Sequence, residues 1–315
     1  MLLTKKAVYF FCYDFENDSV APRVFENSMR IFGLKPTKIM VDGYPVMEYI
    51  DSKGNVFNYV RTHKVISHDY DYYLPIMNEY FSKFDFAGVV NWHGGQKAPD
   101  KVLCLHTTGD VESGYFGMTH PIYTTNLAHK LEENRRELGL EDFRVTMEAT
   151  HWSGMIYNGL PQKIIEFKVP LVDVEIGSTP ESWANEKAAD VITLSLVKVF
   201  DSDVKFPTVL YLGGIHFEES ITNAVLNRQY PVSATHILPS SWLVNGKYSE
   251  GEGYKKLEEC INSIIGGIDG IVYQEKLKAP YREQCRRIAE VLNVPVFKHK
   301  QLNNIKESPI IELYD

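Results

Sequence analysis

This 315-residue chain lacks several things, and each shortage closes off a class of protein. It has four cysteines, Cys12, Cys104, Cys260 and Cys285, and no two of them form a CxxC pair. That set argues against a disulfide framework and against a cysteine zinc site, and it suits a reducing cytosol. No apolar run is long enough to cross a bilayer. The early run Ala7-Val-Tyr-Phe-Phe-Cys-Tyr13 is followed by Asp14 and Glu16, where a signal peptide needs small neutral residues. It reads instead as a first buried strand. Basic residues do not prevail: Lys and Arg total 33 against 41 Asp and Glu, a formal net charge of −8. A dedicated nucleic-acid binder is usually basic, so any such partner must be held by a local patch. There is no phosphate-binding loop, dinucleotide fingerprint, GxSxG elbow or HExxH helix, which speaks against a serine hydrolase and a helix-borne zinc protease.

What the chain does have is alternation. Apolar strand-like runs at 86–93, 101–106, 144–151, 171–175, 208–212 and 270–274 are separated by stretches with helical spacing at 121–138, 180–200, 221–228, 254–265 and 282–292. The 180–200 stretch has Thr179 as an N-cap and Pro180 at the first position, and its apolar stripe runs Ala184, Ala188, Val191, Ile192, Val199. This pattern predicts one α/β domain over 1–315 with a mostly parallel sheet, and a hairpin excursion around 37–61.

Histidines and carboxylates recur at the predicted strand ends. His93 precedes Gly94-Gly95, and His106 precedes Thr107-Thr-Gly-Asp110. Glu148 and His151 close the run Arg144-Val-Thr-Met-Glu-Ala-Thr-His151, and Glu175 precedes Gly177-Ser178-Thr179. His216 follows Gly213-Gly214. Ligands of such sheets bind outside the carboxyl ends of the strands, so these residues are expected to converge on one rim. A carboxylate among apolar neighbours, as at Glu148, either pairs with a cation or works as a general base. His93, His106 and His151 form a candidate dispersed zinc site, with Glu175 a further possible ligand. The glycines either make tight turns or expose backbone N–H groups to a ligand.

These motifs resemble the archaeal and plant type of D-aminoacyl-tRNA deacylase: Asn-Trp-His93-Gly-Gly, Leu-His106-Thr-Thr-Gly-Asp110, Met-Glu148-Ala-Thr-His151, Glu175-Ile-Gly-Ser-Thr179 with Trp183, and Gly213-Gly-Ile-His216. The chain departs from that pattern at Trp152, where a second histidine is usual, and at Glu218-Glu219, where a basic residue is usual. The resemblance implies a three-layer α/β/α sandwich akin to peptidyl-tRNA hydrolase and the nucleoside phosphorylases. It implies a cytoplasmic ester hydrolase, zinc as cofactor and aminoacyl-tRNA as partner. Glu148, His151, Glu175 and His216 are then expected in catalysis, with His93, His106 and His151 at the metal. Gly94, Gly95, Thr107, Gly177, Ser178, Thr179, Gly213 and Gly214 are expected at the substrate. Two alternatives stay open: a metal-dependent hydrolase of a smaller acylated compound, and a non-catalytic nucleotide- or tRNA-binding protein.

Overall fold

The computed structural model describes residues 4–95 and 98–314. In chain order the strands are β1 (Lys6–Cys12), β2 (Lys35–Val41), β3 (Tyr44–Ile50), β4 (Val56–Thr62), β5 (Phe86–Trp92), β6 (Lys101–Thr107), β7 (Gly109–Asp110), β8 (Tyr115–Phe116), β9 (Arg144–Met147), β10 (Leu171–Ser178), β11 (Val209–Leu212), β12 (Ile237–Leu238), β13 (Gly270–Tyr273) and β14 (Val296–Lys298). The helices are α1 (Ala21–Phe32), α2 (Tyr70–Phe81), α3 (Pro121–Glu137), α4 (Pro180–Trp183), α5 (Glu186–Leu196), α6 (Glu219–Val225), α7 (Ser240–Asn245), α8 (Gly253–Asn262) and α9 (Ala279–Leu292). No helix among the described residues is long and apolar enough to cross a membrane.

An eight-stranded sheet in the order β2-β3-β4-β1-β5-β10-β6-β9 forms the frame, and a second sheet, β12-β11-β13-β14, is wholly parallel. The fold is α/β with a mostly parallel sheet flanked by helices, as the alternation predicts. Residues 37–61 fall in β2, β3 and β4, an antiparallel meander that joins the main sheet through the parallel pairing of β4 with β1.

Strand alternation sorts the core into two faces. Val172, Val174 and Ile176 of β10, Leu103 and Leu105 of β6, and Val145 and Met147 of β9 all enter one core beneath α1, α3 and α5. Val209, Tyr211, Val272 and Phe297 of the second sheet join that same core. On the opposite face, Val8, Phe10, Ala87, Val89 and Leu171 pack with residues of α2.

Three expectations change. The single helix over 180–200 is two helices. Thr179 caps only the short α4, and Asn185 begins α5 by accepting the Ala188 N–H at 3.0 Å. The run Lys64-Val-Ile-Ser67, which reads from sequence as a strand, is not one; a 3₁₀ turn over Ile66–Asp69 leads into α2. Finally, β6 runs antiparallel to β10, and β9 runs parallel to β6. The strand ends carrying His106 and Glu148 therefore point opposite to those carrying His93 and Glu175, so the residues do not share one rim.

Candidate active site

The reversal of β6 gathers the polar residues by a different route. On the face opposite the large core, β10 presents Asp173 and Glu175, two residues apart and so side by side. The register sets Asp173 against His106 and Glu175 against Cys104 on β6, and Glu175 against Asn91 on β5. Glu148 follows β9 directly and donates its backbone N–H to Leu105 O at 3.0 Å. A buried row thus crosses the middle of the sheet: Asn91, Asp173 and Glu175, His106, Glu148. Asn91 Nδ2 donates to Asp173 Oδ1 at 3.2 Å, and Thr108 Oγ1 donates to Asp173 Oδ2 at 3.4 Å.

The chain after Glu148 laces this sheet to the second one. Ala149 N–H donates to His216 O at 3.0 Å and Thr150 N–H to Ile237 O at 2.9 Å. That seam brings His216 to Glu148. One oxygen, Glu148 Oε1, faces three imidazoles: His93 Nε2 at 3.1 Å, His151 Nε2 at 3.9 Å, and His216 Nε2 in a short hydrogen bond. His93 is held on its other side by Ser178 Oγ at Nδ1, 2.9 Å away. Its backbone carbonyl accepts the Trp183 indole N–H at 2.9 Å. Gly177 serves this placement, since a Cβ there would lie 2.7 Å from His93 Cβ.

Burial and neighbouring charge set the protonation. Burial alone would raise the Glu148 carboxyl, but His151, His216 and His93 outweigh it and hold it well below the usual range. Burial would lower His106, yet Asp173, Glu175 and Glu148 push it up to about 10. Burial and the repulsion of His106 push His151, whose ring stacks on His106 at 3.8 Å between centroids, down to about 3. Neutral His151 donates Nδ1–H to Ala149 O at 2.8 Å, which leaves a lone pair on Nε2. Burial also raises Asp173, to about 6.

A cavity of about 480 Å³ opens over the row. Four carboxylates line it (Asp110, Glu112, Asp173, Glu175), and no Lys or Arg does among the described residues. Its apolar wall is Trp92, Trp152, Met155, Tyr157 and Trp242. Trp183 packs on Trp92 at 5.1 Å between ring centroids, so all four tryptophans of the chain ring the site. Trp152, at the position where a second histidine was expected, is a buried wall residue seated against Gly154 and Gly159.

Two sets of ligating atoms lie within 4.8 Å of one another: His93, Glu148 and His216, and His106, Glu148 and Glu175. The expected trio His93, His106 and His151 is not among them, because His151 lies face to face with His106 and cannot share an ion with it edge-on. Among the described residues, His106 Nε2 and Glu148 Oε2 are buried without a hydrogen-bond partner, as ligand atoms would be. Glu175 Oε1 lies 3.6 Å from His106 Nε2, beyond hydrogen-bond reach. The donor chemistry, imidazole with carboxylate, suits zinc.

The expected substrate contacts fare unevenly. Gly94 lines the cavity and is exposed, as is Gly95. Ser178 holds His93, and Thr179 is spent on the Ser182 N–H of α4. Thr107 is fully buried, bonded to Thr150 Oγ1, Thr235 O and His236 Nδ1, and belongs to the seam. Gly213 N–H is occupied by Leu238 O at 2.8 Å, which removes it as an oxyanion donor. Gly214 turns the chain at positive φ, where a Cβ would strike Glu218. Asp173, Asn91 and Trp242 were not singled out from the sequence. The Asp173-Val-Glu175 spacing was the readable signal for the first, since alternate strand residues share a face.

Residues 80–297 match the family described as D-aminoacyl-tRNA deacylase. A D-aminoacyl-tRNA deacylase of Pyrococcus abyssi is 24% identical over 288 residues, covering 89% of this chain and 96% of its own. One from Thermococcus onnurineus is 24% identical over 290 residues, with the same coverage. A crystal structure described as a conserved protein of unknown function superposes with a TM-score of 0.73 at 18% identity, over 95% of this chain and 96% of that one, which establishes the fold. The match spans the strands that carry His93, His106, Glu148, Glu175 and His216, and the chain belongs to the D-aminoacyl-tRNA deacylase family.

Proposed function

We propose that this chain hydrolyses the ester of a D-aminoacyl-tRNA, releasing the free D-amino acid and the tRNA, as a cytoplasmic proofreading step. Family membership supports the substrate. The observation that carries the chemistry is the single buried oxygen, Glu148 Oε1, surrounded by His93, His151 and His216 beside an acid-lined cavity. Water attacks the acyl carbonyl carbon and its proton passes to the free Nε2 of His151. The imidazolium so formed lies 3.9 Å from the Glu148 carboxylate, which stabilises it. His106, charged and with Nε2–H unspent, faces the developing oxyanion. The C–O bond to the ribose then breaks and the ribose oxygen takes the proton from the His151 imidazolium, while His216, hydrogen-bonded to Glu148, orients that carboxylate. The α-ammonium group of the substrate is matched by Asp173 and Glu175. Zinc would be held by His93, Glu148 and His216, since His106 keeps its proton. Zinc bound there supplies Lewis-acid polarisation of the ester carbonyl.

The test is hydrolysis of D-tyrosyl-tRNA and of L-tyrosyl-tRNA by the purified protein, before and after chelation and with zinc restored. Selective loss of the D ester is expected, falling on chelation and returning with zinc. A folded, zinc-supplied protein that spares the D ester would refute the assignment; activity indifferent to chelator would remove zinc alone.

A further inference from the structure

Beyond the catalytic cavity lies a larger depression of about 890 Å³, lined by Arg135, Arg136, Arg144, Ile215, His216 and Phe217 among others. Glu148 stands between the two hollows, bonded to His93 of the first and to His216 of the second. Their charges differ in kind. The first carries four carboxylates and, among the described residues, no Lys or Arg. The second carries three arginines, together with Glu132, Glu141 and Glu219. A D-aminoacyl-tRNA is cationic at its amino end and polyanionic along its RNA, so only one orientation satisfies both hollows.

The arginines are not equivalent. Arg135 is spent on Glu132, at 2.8 and 2.9 Å, and on Leu140 O at 3.0 Å; Arg136 shares the same carboxylate. Arg144 is different. Among the described residues it meets only Glu219, at 3.1 Å, and both side chains are exposed. Such a pair is weak and open to exchange for a phosphate. Arg144 begins β9, and Glu148 directly follows it, roughly 13 Å along the chain, a span that one or two nucleotides cover. Phe217 is half-buried, with its ring 5.0 Å from His216 and 5.3 Å from His93 between centroids. It offers an aromatic face beside the reacting ester.

Resting on the deacylase reading, we infer that this second hollow is the subsite for the 3′ end of the RNA, with Phe217 stacking the terminal base and Arg144 holding a backbone phosphate. Glu219 is then a competitor for Arg144, released when RNA binds.

The experiment compares Arg144→Ala, Phe217→Ala and Glu219→Gln. The readouts are turnover of D-tyrosyl-tRNA, turnover of D-tyrosine methyl ester, and anisotropy of a 5′-labelled RNA hairpin with a single-stranded 3′ tail. Arg144→Ala should cost about tenfold in hairpin affinity at low salt and reduce the salt slope by about one. Phe217→Ala should cost roughly 5- to 100-fold for RNA. Glu219→Gln should tighten the hairpin roughly two- to fivefold. The losses should fall on the RNA-borne substrate. Equal losses on the methyl ester, or unchanged hairpin affinity in all three variants, would overturn the subsite. Hairpin binding needs no turnover. A protein inactive on every ester whose hairpin affinity still falls with Arg144→Ala would refute the activity and keep the subsite.

Discussion

Glu148 illustrates what one residue must satisfy at this site. It is fully buried, ionised, and shared by three imidazoles. Its presence among apolar neighbours was legible as a demand for partners, since an unpaired carboxylate there is costly. Which histidines would meet it was not legible, because they come from three different segments. Glu148→Gln keeps the shape and removes the charge that stabilises a protonated His151. The expected loss in kcat is roughly 10²- to 10⁴-fold, with the circular dichroism spectrum unchanged. A variant within threefold of the parent would show that the histidines work without it.

At the scale of elements, the alternating strands and helices announced themselves through spacing. The direction of β6 did not, because an interior strand is an apolar run whichever way it points. The break between α4 and α5 was hidden for a similar reason: Ala184, Ala188 and Val191 continue one apolar stripe across it. The turn after His151 follows a clearer rule. Trp152 fills a notch whose sides are Gly154 and Gly159, and a methyl group at either glycine would overlap the indole. Gly154→Ala should therefore destabilise the protein by about 1–3 kcal/mol, seen as a lower denaturation midpoint. Combining it with Trp152→Ala should recover part of that loss, as the added methyl group then has room. Strict additivity of the two would mean that the ring and the glycine do not meet.

The whole molecule is joined along a polar seam. His236, fully buried, meets Thr107 Oγ1 at 2.8 Å and Ser263 Oγ at 2.9 Å, while Thr150 is bonded to both Thr107 and Ile237. Burial pushes the His236 imidazole down to about 3. Its folded pKa thus lies below the unfolded value of about 6.5, so its contribution is present above pH 6.5 and is lost as pH falls toward 3. Each pH unit in that window should cost about 1.4 kcal/mol from this group. Asp18, raised to about 7 by burial, acts the other way, losing its contribution as pH rises from the unfolded carboxylate range through 7. Comparing the parent with His236→Gln isolates the histidine: thermal melts from pH 7.5 to 4 should show a shallower decline in the variant. Parallel curves would mean that His236 takes up its proton without opening the seam.

The ring of tryptophans has a practical consequence. Since Trp92, Trp152 and Trp242 line one cavity and Trp183, the remaining tryptophan of the chain, packs on Trp92, emission excited at the red edge, where tyrosine does not absorb, comes from the site and its immediate wall. The protein carries its own optical probe. A ligand entering the cavity, or a shift between the two sheets, will change the colour or intensity of that light without any label.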